Sequence, residues 1–169
     1  MIKQITTPIS AADIADLNVG DMIEISGQIL CGRDAVLPKV VGLIAEGRQA
    51  ELGVSLDGQV VFHTAVSPAG VGPTSSNKLE IESSIAPLSK AGVRLHLGKG
   101  KLKDETVRAL NESGSVYAVI PPVTALLTAN MADVKCVAFN ELGMEALWLI
   151  TVTDYPAIIA AAKGRSIYD

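Results

Sequence analysis

The sequence predicts one α/β domain over residues 1–169, with a partly parallel central sheet flanked by helices. Short apolar segments of strand length alternate with segments of helical periodicity, and this alternation is typical of sheets that contain parallel strands. A chain of 169 residues suits one domain. At this size a protein buries about two thirds of its unfolded surface, so a core forms without disulfides or metals.

The strands are predicted from short runs rich in Val, Ile and Leu. In the second run, Ile23 and Ile25 alternate with polar residues before Gly27. The glycines and prolines after the third run predict a loop over 64–72. The final two strands are expected to form a pair on either side of Tyr155-Pro156. In order, the predicted strands are residues 2–6, 22–30, 59–63, 93–97, 116–120, 134–139, 147–153 and 157–162.

The helices are predicted from apolar spacing together with start and stop signals. Ser10 is a suitable N-cap, and Asp13 three residues later gives nearly a capping box. Pro38 is tolerated if it lies in a first turn. Pro87 is expected to kink or shorten its helix. In order, the predicted helices are residues 11–17, 35–46, 78–91, 102–112 and 125–131.

The amino-acid composition limits the kinds of molecule that this chain is expected to bind. Apolar residues make up 49% of the chain and charged residues only 19%, so part of the surface is expected to meet another protein. The net charge is −4 and the cations are scattered, which argues against nucleic acid as the main ligand. No apolar run has the length of a membrane span, and the first residues do not resemble a secretory signal. We therefore expect a cytoplasmic protein that does not enter a membrane.

The two cysteines, Cys31 and Cys136, are far apart in the sequence and lie in no metal-ligand spacing. Ordinary reduced thiols are the expectation for such a pair. If the protein works with a metal or an iron–sulfur cluster, another chain has to supply most of the ligands.

The segment 72–80 (GPTSSNKLE) has the features of an anion-binding helix start. It places the hydroxyls of Thr74 and Ser75 just before a helix predicted to begin at Lys78. Free backbone N–H groups and the helix dipole favour negative charge at such a position. The same residues also suit an ordinary helix cap.

Two further strand-to-helix junctions carry cations. Arg33 follows the second strand, and Lys99 follows the strand over 93–97. Because the carboxyl ends of parallel strands share one edge of a sheet, we expect Arg33, Thr74, Lys78 and Lys99 to surround one pocket. Cations beside a hydroxyl-rich helix start suit a small dicarboxylate or a phosphate.

Each of these residues also has a simpler structural interpretation. Lys99 lies in a GKGK turn that is also compatible with an ordinary solvated loop, and its glycine spacing does not match a P-loop. Arg33 and Asp34 are also compatible with a weak helix-capping ion pair. His63 and His96 lie in apolar, strand-like surroundings and are interpreted as structural histidines.

Several short motifs spread along the whole chain resemble one known family. They are Thr7-Pro8, 17–21 (LNVGD), 32–35 (GRDA), 72–75 (GPTS), Lys99-Gly100, 141–148 (ELGMEALW) and 154–157 (DYPA). In this order they resemble the β subunit, or C-terminal domain, of the iron–sulfur hydro-lyases that include class I fumarase and L-tartrate dehydratase.

The resemblance implies a swivelling β/β/α domain that closes over an α subunit or α domain. That partner is expected to carry a 4Fe-4S cluster on its own cysteines. Such enzymes reversibly hydrate or dehydrate a small hydroxy dicarboxylic acid of the fumarate/malate or tartrate type. The chain is expected to be inactive by itself, and to form a heterotetramer with its partner or a homodimer in isolation.

The resemblance also implies roles for single residues. Thr74 matches the family's proposed base, Arg33 and Lys99 match substrate-binding cations, and Ser75 lies beside them in the same motif. Lys78 falls where the family has arginine. Because lysine lacks the planar fork that grips a carboxylate twice, the substrate or its pose is expected to differ from that of fumarate.

Two other functions remain compatible with the sequence. One is a non-catalytic subunit that retains the fold and either binds a small anion or serves a structural purpose. The other is a phosphate-binding α/β protein that uses the glycine-lysine turn.

Overall fold

The described chain folds into strands and helices in the alternating order that the sequence predicts. A computed structural model describes the backbone of residues 2–67, 70–74, 78–120 and 131–169. The side chains of these residues are described as well, except for those of residues 67–81. The strands are β1 Ile2–Thr6, β2 Met22–Gly32, β3 Val60–Ser67, β4 Gly70–Thr74, β5 Leu95–Gly98, β6 Val116–Val119, β7 Met131–Ala138, β8 Leu147–Ala162 and β9 Arg165–Ser166. The helices are α1 Ala11–Ala15, α2 Leu37–Ala45, α3 Lys78–Lys90 and α4 Asp104–Glu112, with 3₁₀ segments at Gln49–Leu52 and Asn140–Glu145.

The sheet is partly parallel, and the predicted α/β class is confirmed. Parallel pairs join β1 to β2, β2 to β3, β3 to β5, and β5 to β6. The later strands add antiparallel pairs, because β8 pairs with β2, β6, β7 and β9. These pairs join five strands, and the carboxyl ends of four of them, β2, β3, β5 and β6, lie side by side.

Strand β8 also closes the sheet on itself. Its first part pairs with β2 from Gly27 to Cys31, and its last part pairs with β6. Strands β2, β3, β5, β6 and β8 therefore form a closed barrel. The β2–β8 register shifts between Ile25 and Gly27. Gly27 has φ 116°, and a Cβ there would collide with Thr7 Oγ1, so this irregularity requires glycine.

Side chains alternate between the inside and the outside of the barrel. Val60 and Phe62 of β3 belong to the inner cluster, whereas Val61 belongs to a second cluster that also contains residues of α2 and α3. A third cluster joins β6 to α3 and α4. This alternation, with its period of two, places His63 on the outer face beneath a helix.

Two predicted boundaries are wrong. Residues 64–67 and 70–72 are not a loop, because they belong to β3 and β4, which pair with Val66 opposite Val71. The predicted pair of strands around Tyr155-Pro156 is one continuous strand, β8. Its pairing with β2 and the burial of Tyr155 and Ile159 outweigh the missing N–H of Pro156.

The helix predictions mostly agree with the structure. The capping box of α1 is confirmed, with Asp13 N donating to Ser10 Oγ at 3.1 Å. Pro38 lies in the first turn of α2, as predicted. Helix α3 continues past Pro87 to Lys90, so the predicted shortening does not occur. The helix predicted over 125–131 lies outside the described residues, except that Met131 begins β7. None of the helices that the structure describes is both long and apolar enough to cross a membrane.

Candidate anion-binding site

The candidate site lies at the barrel rim, where the parallel strands end. Gly32 of β2 pairs with His63 of β3, Phe62 of β3 with Leu97 of β5, and Gly98 of β5 with Val119 of β6. Adjacent strands are about 4.8 Å apart, so residues that follow these pairs start from neighbouring positions. Arg33 and Lys99 are the next residues after β2 and β5. The backbone positions of both predicted cations therefore lie on one rim.

The hairpin of β3 and β4 leaves this rim and returns to it. Thr64, the residue after His63, pairs with Thr74 at the end of β4. The Thr74 backbone is thus also at the rim, and α3 begins four residues later at Lys78. The side chains of Thr74 and Lys78, and the whole of Ser75, lie outside the described residues.

The residue that precedes Lys99 at the rim, Gly98, has no room for a side chain. The side chain of Lys99 is exposed, whereas Gly98 is buried. A Cβ on Gly98 would lie 2.9 Å from the hydroxyl of Tyr117. A side chain at position 98 would collide with this tyrosine. Glycine is therefore required at the last position of β5, just before the exposed Lys99.

The side chain of Arg33 is held by Glu145, a residue that sequence reasoning missed. The Glu145 carboxylate accepts hydrogen bonds from Arg33 Nε at 2.8 and 3.2 Å, and its Oε1 lies 2.6 Å from Arg33 Nη2. Both side chains are partly exposed, at 27% and 30%. The carboxylate raises the pKa of Arg33 above its ordinary value. The only available signal was that Glu145 belongs to the motif over 141–148.

Beneath the rim, on the outer face of the sheet, lies a buried polar chain. His63 Nε2 is 3.1 Å from His96 Nδ1, and His96 Nε2 is 2.9 Å from Ser89 Oγ of α3. Burial lowers the pKa of His63 to about 4 and also lowers that of His96. Both imidazoles are therefore neutral at pH 7, which agrees with the interpretation of structural histidines. In the described part of the chain, His63 Nδ1 and Tyr117 Oη have no hydrogen-bond partner.

Glu82 forms hydrogen bonds with the start of helix α4, which follows Lys99 in the sequence. Its carboxylate accepts hydrogen bonds from the backbone N–H of Lys103 and from Thr106 Oγ1, each at 2.7 Å. Lys103 is the N-cap of α4 and forms no side-chain cap of its own. A carboxylate of α3 thus holds the start of α4 against α3.

The donor set of this chain does not fit an iron–sulfur cluster. Cys31 and Cys136 are its two cysteines, and such a cluster is usually held by more thiolates. They lie on opposite sides of β8, since each pairs with Trp148 from its own strand. Burial raises the pKa of Cys31, which keeps its thiol protonated. Among the residues that can be described, no three His, Cys, Asp or Glu side chains form a group able to hold a metal.

Comparisons with known proteins show which family the sequence resembles. Residues 2–169 match the family model described as fumarase C-terminus. The chain is 28% identical over 173 residues to L(+)-tartrate dehydratase subunit beta of Escherichia coli K12, covering 95% of this chain and 83% of that protein.

Two longer relatives match over only part of their length. Identity is 29% with the anaerobic class I fumarate hydratase of Escherichia coli K12, covering 93% of this chain and 30% of that protein. It is 30% with the putative class I fumarate hydratase of Geobacillus stearothermophilus, covering 96% of this chain and 32% of that protein. The resemblance inferred from the short motifs is therefore confirmed, and this chain belongs to the fumarase C-terminus family.

Proposed function

We propose that this chain is the β subunit of a heteromeric iron–sulfur hydro-lyase. Its substrate is a small hydroxy dicarboxylic acid of the fumarate/malate or tartrate type, which the complex hydrates or dehydrates reversibly. The proposal is supported by the family and by one structural observation, the register that brings the backbones of Arg33, Thr74 and Lys99 to one rim. Cations there suit the carboxylates of such a substrate.

In this proposal each rim residue has a chemical task. Arg33, Lys78 and Lys99 bind carboxylate groups, and Ser75 donates a hydrogen bond to one of them. Thr74 removes the proton from the carbon next to the departing hydroxyl. A threonine hydroxyl is a weak base at its free pKa, so the nearby cations and the start of α3 have to stabilise its ionised form.

The remaining chemistry belongs to the partner. We infer an α subunit that carries a 4Fe-4S cluster, because this chain does not contain a donor set for one. A relative named as a beta subunit, matched over 83% of its length, supports such a division of labour. The proposed assembly is a cytoplasmic heterotetramer, with a homodimer formed by the isolated chain.

The role of Thr74 is tested in the complex purified with its α subunit. Substituting Thr74→Ala should lower kcat by roughly 10²- to 10⁴-fold, the usual contribution of a general base. Complex formation, measured by size-exclusion chromatography, should not change. Thr153→Ala, at an exposed position of β8, is the matched control and should retain full activity.

Near-normal turnover by the Thr74→Ala complex would exclude Thr74 as the base. A wild-type complex that binds small dicarboxylates but turns over none of them would instead favour a non-catalytic anion-binding subunit.

A further inference from the structure

We propose that Glu145 is a positioning residue that fixes the guanidinium of Arg33 for binding a substrate carboxylate. This inference rests on the proposed function, because it takes Arg33 to be a substrate-binding cation. It assigns a role in the reaction to a residue of the motif over 141–148.

The contact between Glu145 and Arg33 fixes the orientation of the guanidinium plane as well as its distance from the carboxylate. Glu145 Oε1 lies 2.8 Å from Nε and 2.6 Å from Nη2 of Arg33, and Glu145 Oε2 lies 3.2 Å from Nε. Two contacts along one edge of a planar guanidinium fix its orientation, which a single contact to an ammonium group does not do.

The contact contributes more to orientation than to stability. Both side chains keep more than a quarter of their surface exposed, at 27% and 30%. Ion pairs this accessible to water add little to the stability of a fold. A pair that joins residues from distant parts of the sequence at the proposed site is therefore better explained by the orientation that it imposes on Arg33.

Strand register explains why these two residues meet. Cys31 of β2 pairs with Trp148 of β8 in an antiparallel ladder. Arg33 lies two residues after Cys31, and Glu145 lies three residues before Trp148. In an antiparallel pair these two directions point to the same end of the sheet. Both residues thus leave the barrel at the same end.

The segment that carries Glu145 is internally fixed. Trp148 Nε1 donates to the carbonyl of Gly143 at 3.2 Å, and the Ala146 N–H donates to the same carbonyl at 3.0 Å. Gly143 has φ 60° and ψ −123°, a conformation that essentially only glycine adopts easily. Ala146 and Leu147 are buried directly after Glu145. Glycine, tryptophan and glutamate of the motif therefore act together to place one carboxylate.

The test measures KM and kcat of the complex with its α subunit for a dicarboxylate substrate. Glu145→Ala should raise KM roughly tenfold or more, as expected when a binding group loses its orientation, with a smaller effect on kcat. Glu145→Gln keeps an acceptor oxygen and should give an intermediate KM. Glu141→Ala, at an exposed position in the same 3₁₀ segment, is the matched control and should leave KM unchanged.

A double-mutant cycle separates positioning from a general structural effect. Arg33→Ala should raise KM at least as much as Glu145→Ala, and combining the two should add little, because Glu145 acts through Arg33. Thermal unfolding of each variant monitors folding. If Glu145→Ala does not fold, then Glu145→Gln carries the test.

The possible outcomes distinguish the two proposals. An unchanged KM in both Glu145 variants would overturn the positioning role, and a lowered KM would show that Glu145 competes with substrate. If Arg33→Ala itself leaves KM unchanged, the substrate-binding role of Arg33 in the proposed function fails. If Arg33→Ala raises KM and the Glu145 variants do not, only the positioning role fails.

Discussion

His63 and His96 are neutral because they lie between the barrel wall and helix α3. Both side chains are fully buried, and the hydrogen bonds to each other and to Ser89 include no carboxylate. Burial without a counter-ion disfavours the charged imidazolium, which is why the pKa of His63 falls to about 4. Protonation of either ring therefore works against the folded state.

Stability should consequently decrease in mild acid. The pKa of His63 is lower in the folded chain than the unfolded value of about 6.5, so the unfolded chain binds more protons between these values. Its contribution is complete above about pH 6.5 and is lost as the pH falls toward about 4. Urea unfolding should show a loss of roughly 2 kcal/mol from His63 between about pH 7.5 and about pH 5.

The control for this prediction is His63→Gln, which replaces Nε2 by an amide and does not titrate. The difference between the two pH values should shrink in this variant. A wild-type free energy of unfolding that is the same at both pH values would contradict the prediction.

The positions of Arg33 and Lys99 at the ends of neighbouring strands were predictable from the sequence, whereas the contact between Glu145 and Arg33 was not. Arg33 and Lys99 follow apolar runs, and parallel pairing is enough to bring such positions to one rim. Glu145 reaches Arg33 only through the antiparallel register of β2 with β8. No local pattern encodes that pairing, because the two strands are separated by most of the chain.

At the scale of elements, helix α4 depends on a carboxylate from another helix. Glu82 of α3 accepts from the N–H of Lys103 and from Thr106 Oγ1. The first turn of a helix has N–H groups without internal partners and a partial positive charge, so a carboxylate stabilises it on both counts. The loop between Lys99 and α4 is thus anchored at its far end.

Removing this carboxylate should destabilise the fold. We expect Glu82→Ala to lower the free energy of unfolding by about 1–2 kcal/mol, because a helix cap and a hydrogen bond to an ionised group are lost together. Glu82→Gln should lose less. Urea denaturation provides the measurement, and Glu112→Ala, at the exposed end of α4, should stay within about 0.5 kcal/mol of wild type. An equally small effect of Glu82→Ala would show that α4 is capped in another way.

The errors in the predicted elements have a common physical cause. Pro156 and the glycines around Val71 are turn signals in the local sequence, yet both segments are strands. Pairing with β2 in one case and with β3 in the other supplies the stabilisation that the local sequence lacks. The capping box at Ser10 was predicted correctly because all its partners lie within one helical turn.

For the whole molecule, closure of the barrel creates a core lined mainly by aliphatic side chains. Ile29 of β2 and Ile150 of β8 are paired in register across the closing seam, and both are fully buried. Interiors of this kind are close-packed, so the loss of a few methyl groups leaves a cavity that the barrel wall fills only in part.

Ile29→Ala should therefore cost about 2–5 kcal/mol in the free energy of unfolding. Val134→Ala is the matched control, because Val134 lies on β7 with 42% of its surface exposed and should change stability by less than about 0.5 kcal/mol. Equilibrium urea unfolding of both variants checks the difference. Similar small losses at both positions would mean that the seam is not tightly packed.

Closure by β8 also has a consequence during protein synthesis. β8 follows β2 in the sequence by more than a hundred residues, so the ribosome makes it long after β2 has emerged. Until then, the backbone groups of β2 that later pair with β8 have no strand to bond, and such open edges promote aggregation. A growing chain of this protein therefore exposes this unpaired edge of β2 until β8 has left the ribosome.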